Sequence, residues 1–223
     1  VFMRVLVIAP HPDDETLGCG GTLLKHRENG DEIFWLIVTN IDSNSDWSDE
    51  AKMKRKNEID EVNKCYEFSK IFNFSYPTMK MDTVPFSDLI DKFVQVYKKI
   101  EPQLIYMPFY NDVHTDHQFI SKAVQSTLKW FRYPYIEKVL MYETLSETDF
   151  NFIDRNNFMP NIFIDISKFI DKKVEVMKTY DSEINEYPFP RSETSIRSLA
   201  AVRGSQCGFL AAESFMLVYE KIK

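Results

Sequence analysis

Apolar runs of strand length recur along this chain, each followed by a segment with helical signals, and that alternation narrows the fold more than any other feature. Residues 4–10 are a nearly unbroken apolar run, with Val5-Leu6-Val7-Ile8-Ala9 at its centre. Such a run suits a strand covered on both faces. A helix is expected over residues 12–29, closed by Gly30. Further strands are expected at 33–39, 71–76 and 104–109, with helices at 49–69 and 86–100 between them. A helix to about residue 131 and strands at 139–143 and 162–166 follow. The remainder reads as mostly helical, over 168–181 and from Arg191 onward. Repeated β-α units imply an α/β fold: a Rossmann-like, doubly wound, mostly parallel sheet with helices on both faces. No repeat, low-complexity tract or long linker divides the 223 residues, so one domain over 1–223 is expected. In such sheets ligands bind at the carboxyl ends of the strands, where the strand order reverses. With an order of 3-2-1-4-5, strands one and four are neighbours at that point.

Composition removes several classes of function. A net charge of −7 without a basic patch argues against nucleic acid as a partner. The densest basic run, residues 52–56, sits among acids on an expected helix and reads as a solvated face. No segment approaches the length of an integral membrane span, and no charged-apolar-small leader opens the chain. Cys19, Cys65 and Cys207 are odd in number, widely spaced and free of any C-x-x-C pattern, which points to a reducing, cytoplasmic setting.

The chemistry lies in two polar clusters. His11-Pro12-Asp13-Asp14-Glu15 follows the first strand directly. Three carboxylates this close repel one another, and partial burial raises their pKa values. A divalent cation relieves both costs, whereas acids alone could simply complement a helix N-terminus. The second cluster, Asn111-Asp112-Val113-His114-Thr115-Asp116-His117, follows the fourth strand, so the switch point brings the two together. His11 and Asp14 can converge on one ion across the turn, leaving Asp13 free for proton transfer. The spacing His114-x-Asp116-His117 can add one more ligand with a charged pair behind it. Two imidazoles and a carboxylate with open positions suit catalytic Zn²⁺ and, equally, Fe²⁺. His26, mid-helix among Lys25, Arg27 and Glu28, is expected at the surface. The polar stretch 40–48 is long for its place and is a candidate functional loop. Gly18-Cys19-Gly20-Gly21 is no dinucleotide fingerprint, because Leu23 stands where the third glycine belongs. These glycines read as small residues that let the first helix approach the sheet.

The residues 9–15 (Ala-Pro-His-Pro-Asp-Asp-Glu) with Leu17-Gly18-Cys19-Gly20-Gly21, then His114-Thr115-Asp116-His117, and finally Arg203-Gly204-Ser205-Gln206-Cys207-Gly208 with Ala212-Glu213-Ser214-Phe215, occur in one order along nearly the whole chain. In these motifs the chain resembles the PIG-L/LmbE-like N-acetylglucosaminyl deacetylases. The resemblance implies a zinc-dependent hydrolase that removes the N-acetyl group of an amino sugar, a metal-activated water attacking the amide. It implies His11, Asp14 and His117 as metal ligands and Asp13 as general base. His114 would stabilise the oxyanion, with Asp116 fixing its tautomer and keeping it charged. Arg55 and Arg203 would face the substrate, although a helical Arg-x-x-Glu pair is usually a surface feature. Some relatives carry a tyrosine where this chain has Asp112, which leaves Tyr110 or Tyr142 to replace it. The implied partner is a small N-acetylated sugar, with Trp47 and Trp130 compatible with stacking on it, and a homo-oligomer is an assembly familiar among such relatives. Two other readings stay open: an amidase on a non-acetyl or non-sugar amide, and a catalytically silent sugar-binding module.

Overall fold

The structure, a computed structural model, describes residues 2–42, 46–152 and 157–222. Among them, seven strands share one sheet: β1 (Arg4–Ala9), β2 (Glu32–Asn40), β3 (Lys70–Pro77), β4 (Leu104–Pro108), β5 (Lys138–Tyr142), β6 (Ile162–Asp165) and β7 (Ala212–Glu220). Their order is β3-β2-β1-β4-β5-β7-β6. The first five run parallel, as expected, and β7 pairs antiparallel with both β5 and β6. The chain reverses direction across the sheet between β1 and β4, so the loops after these two strands open onto one crevice.

Among the described residues six α-helices cover the sheet: α1 (Asp14–Glu28), α2 (Asp49–Tyr66), α3 (Phe86–Ile100), α4 (Thr115–Thr127), α5 (Ile170–Met177) and α6 (Glu193–Ser205). Side chains of a strand alternate between faces. Val5, Val7 and Ala9 therefore pack with Leu23 of α1, Val62 of α2 and Val174 of α5. Leu6 and Ile8 point the other way, toward Phe93 of α3 and Ile120 of α4. With both faces covered, β1 has no solvent side, which is why its sequence shows no polar alternation. Each such side chain contributes about 1.5–3 kcal/mol on leaving water.

The α1 glycines do pack close. A Cβ on Gly18 would stand 2.2 Å from the Tyr142 ring of β5, and one on Gly21 2.7 Å from Ile166. Helix α2 begins at the Ser48 cap, whose hydroxyl accepts the Ala51 N–H at 3.2 Å.

Several boundaries differ from those expected. Helix α2 stops at Tyr66, because Glu67 turns left-handed at φ 56° to start β3. Helix α4 ends at Thr127 rather than near 131, and α5 is shorter than 168–181. The largest difference is β7, which occupies a stretch expected to be helical. Its run Phe215-Met216-Leu217-Val218-Tyr219 pairs with β5 and the preceding Ala212–Phe215 pairs with β6, and that pairing overrides local preference. His26 is not on the open surface: its ring bridges Asp31 at 2.7 Å and the Tyr106 hydroxyl at 2.9 Å. No helix among the described residues is long and apolar enough to cross a membrane.

Candidate metal centre and cleft

His11 stands on the turn after β1 and Asp14 opens α1, while His114 precedes α4 and His117 lies in its first turn. Both helix N-termini point into the crevice, where their free N–H groups favour negative charge. His114 is the cap of α4: its Nδ1 accepts the Asp116 backbone N–H at 3.1 Å. Asp13 starts α1 at φ 140°, a conformation that L side chains rarely adopt. Backbone strain of this kind costs of order 1–3 kcal/mol and persists where the surroundings enforce it.

Three donor atoms converge. His11 Nδ1 lies 3.3 Å from Asp14 Oδ2, and His117 Nε2 lies 3.2 Å from the same oxygen. His117 Nε2 is buried without a hydrogen-bond partner, while Nδ1 is held by Asp112 at 2.8 Å. Burial opposes charge on this ring, but Asp14 and Asp112 outweigh it and hold His117 well above its ordinary pKa, so Nε2 faces a carboxylate across a position that a cation can take in place of a proton. The donor set of two imidazole nitrogens and one carboxylate oxygen thus fits a divalent transition metal. A second grouping, His11 with His114 and Asp116, shares the His11 ring. There the Asp116 carboxylate is already engaged by His11 Nε2 at 3.1 Å and by the N–H groups of Met79 and Met81 at 2.8 and 3.3 Å. Asp116 therefore stands behind His11 as Asp112 stands behind His117, each carboxylate orienting one imidazole.

Charge is unevenly distributed among these groups. Burial disfavours an ionised Asp14, but His117 and His11 outweigh it and hold the carboxyl well below its ordinary value. For His11, burial is again outweighed, here by hydrogen bonds that its ring donates to Asp116 and Asp14, and its pKa rises to about 9. Asp13 is pushed well above the usual carboxylate range by burial and by Asp14, with Arg191 opposing. Burial lifts Glu15 to about 7; its carboxylate accepts from Thr16 and from the Tyr180 hydroxyl, away from the donor set.

The open cleft above these groups has a volume of about 160 Å³ and is lined by Asp13, His114 and Arg55 among others. Arg55 is placed here, but its guanidinium is occupied by the Pro12 carbonyl at 2.8 Å, Glu58 at 3.1 Å and Ser182 and Glu183. Within the basic run 52–56, Arg55 is thus turned inward rather than solvated. Arg203 does not reach the cleft: it forms a two-pronged pair with Glu143 at 2.7 and 2.6 Å, tying α6 to the end of β5. The Asp116 carboxylate likewise does not serve His114, to which it is joined through its backbone N–H. Burial, with His11 and His117 nearby, lowers His114 to about 4, so the ring is neutral and its Nε2–H is the available donor. Tyr142 cannot replace a missing tyrosine, since its hydroxyl donates to the Ile8 carbonyl at 2.8 Å, and Tyr110 is outside the cleft lining.

Sequence reasoning missed three charged cleft residues, Arg191, Glu183 and Glu147. Arg191 Nη1 donates to Asp13 Oδ2 and to Glu183 Oε2, both at 2.9 Å. These residues come from irregular connections after β5 and α5, where no periodicity or motif marks them. Of the loop 40–48, Asn40, Ile41 and Trp47 line the cleft, and residues 43–45 lie outside the described ones.

The family model "PIG-L: GlcNAc-PI de-N-acetylase" matches residues 6–128, more than half of the chain and both polar clusters. The chain belongs to the PIG-L family. This PIG-L member is 24% identical to the diacetylchitobiose deacetylase of Thermococcus kodakarensis over 96% of its own length and 83% of the relative's. Its fold matches the N,N'-diacetylchitobiose deacetylase of Pyrococcus horikoshii with a TM-score of 0.75 at 20% identity, covering 97% and 84% of the two chains. It also matches the 4-carboxy-2-hydroxymuconate hydratase of Pseudomonas putida with a TM-score of 0.74 at 16% identity, covering 100% and 98%. The PIG-L scaffold by itself therefore does not choose a reaction, and the side chains must.

Proposed function

We propose that this protein is a metal-dependent hydrolase that removes the N-acetyl group from an amino sugar, with Zn²⁺ as the metal and Fe²⁺ compatible with the same donors. The observation that carries the reading is the orphaned, buried His117 Nε2 aimed at Asp14 Oδ2 beside His11 Nδ1, with a buried carboxylate, Asp13, next to them and otherwise held by an arginine. Membership of a de-N-acetylase family and a deacetylase relative along most of the chain support it. The unpaired cysteines Cys19, Cys65 and Cys207 fit a cytoplasmic location.

His11, Asp14 and His117 would hold the ion. A divalent cation supplies Lewis acidity, which polarises the amide carbonyl and makes a water acidic enough to attack near neutral pH. Asp13 takes the proton of the attacking water and returns it to the departing nitrogen as the C–N bond breaks, giving amine and acetate. Neutral His114 donates its Nε2–H to the carbonyl oxygen as negative charge develops there, a contribution typically worth about 3 kcal/mol. Arg191 holds Asp13 on the cleft wall.

The test separates the roles. Asp13→Asn should retain its metal and lose roughly 100- to 10,000-fold in acetate release from N-acetylated sugars. His117→Ala should lose the metal itself, as measured by elemental analysis after dialysis. Full metal content in His117→Ala, or retained turnover in Asp13→Asn, would overturn the assignment.

A further inference from the structure

The walls of the cleft differ in a way that bears on what is attached to the acetylated sugar. Four carboxylates line it, Asp13, Asp14, Glu147 and Glu183, against two guanidiniums; among the described residues no lysine does. Neither guanidinium is free. Arg55 is enclosed by Glu58, Glu183 and the Pro12 carbonyl. Arg191 is shared between Asp13 and Glu183 through Nη1, bonds Ser146 through Nε at 2.9 Å, and has Glu147 3.8 Å from Nη2. An anionic substituent entering here would have to displace a carboxylate from a partly buried pair, and it would leave that carboxylate unpaired.

The remaining lip is apolar and exposed. Trp47 is 47% exposed and Met79 is 74% exposed, yet both line the cleft together with Ile41. Met79 is held there by a left-handed backbone at φ 63°, its N–H donated to Asp116 Oδ2 at 2.8 Å. The strain is thus anchored on the carboxylate behind His11. A saturated, hydroxylated ring matches such a pair of walls: its C–H face can lie on an indole, and its hydroxyls can meet the paired arginine and carboxylate groups.

We infer that the cleft selects a neutral glycan over a phosphate- or carboxylate-bearing conjugate, and that Trp47 is the platform for the sugar ring next to the acetylated one. This rests on the deacetylase reading above. Acetate release by the zinc-loaded protein is measured on N-acetylglucosamine, N,N'-diacetylchitobiose, N-acetylglucosamine 1-phosphate and an N-acetylglucosaminide of a dicarboxylic acid. The disaccharide should exceed both anionic compounds in kcat/KM by about tenfold or more. Trp47→Ala should raise KM for the disaccharide roughly fivefold more than for the single sugar, and Trp47→Phe should recover most of that difference. Equal or better turnover of an anionic compound would overturn the selection. A Trp47→Ala effect equal on one ring and two would overturn the platform. If no compound releases acetate, the deacetylase reading fails instead. Calorimetry of N,N'-diacetylchitobiose and the 1-phosphate on the same protein and on Trp47→Ala then decides: preferential, Trp47-dependent binding of the disaccharide upholds the inference, and its absence sinks it.

Discussion

Asp112 carries more of the site than its place in the sequence announces. It is fully buried, accepts His117 Nδ1–H through one oxygen and the Thr148 hydroxyl through the other, and so decides which His117 nitrogen faces Asp14. Asn at this position can still accept the Nδ1–H, but without a charge the imidazole becomes a weaker ligand. Asp112→Asn should therefore lower metal affinity roughly 10- to 100-fold with the fold intact, as read by chelator competition beside a thermal melt. Unchanged affinity would reduce Asp112 to a packing residue. At this scale the sequence was readable where chemistry is concentrated. His11, Asp14 and His117 stand close in two motifs, and the structure draws them together. It was not readable for Arg191, a single arginine in a connection without periodicity, 178 positions from the Asp13 it holds. Asp116 was placed correctly in the cluster but with the wrong partner, because spacing cannot say that His11 comes closer to its carboxylate than His114.

Among the elements, α1 is the one whose sequence is most constrained. Its N-terminus presents Asp14, and its body lies against β5 so closely that the Tyr142 ring fills the space a side chain would need at Gly18. That ring cannot easily withdraw, since its hydroxyl is fixed to the Ile8 carbonyl. Gly18→Ala should cost about 2–3 kcal/mol or more, lowering Tm by roughly 4–12 °C. A melt within a degree or two of wild type would show that α1 can shift freely. Helix α3 was legible to the residue, because its apolar positions repeat with helical spacing and a proline precedes it. Strand β7 was not. A short apolar run such as Phe215 to Tyr219 has no period long enough to separate strand from helix, and its distant neighbour β5 makes the choice. His26 misled for a similar reason: charged residues surround it in sequence, while a tyrosine from β4 meets it in space.

For the molecule as a whole, the order of the first five strands follows from the alternation of strand and helix signals, and so does the meeting of the two polar clusters. What the alternation leaves open is how the later segments close over α1. Lys173 of α5 and Glu213 of β7 are both buried and paired at 2.7 Å. The lysine also donates to the Leu17 carbonyl, and the glutamate accepts the N–H groups of Gly21 and Thr22, so α5 and β7 meet against α1. Lys173→Met leaves Glu213 buried without its cation and should destabilise by about 3–5 kcal/mol, a Tm loss of roughly 6–20 °C. Restoration by the added change Glu213→Gln would identify unpaired charge as the cause, whereas a further loss would point to the N–H contacts. Finally, β6 touches the rest of the sheet through β7 alone, and β7 is assembled from residues translated after every other element described. While the chain is still emerging from the ribosome, the outer edge of β5 stays open and β6 has no partner. Completion of the sheet must wait for synthesis to pass residue 220, and until then the nascent chain carries an unpaired apolar edge that invites misassociation.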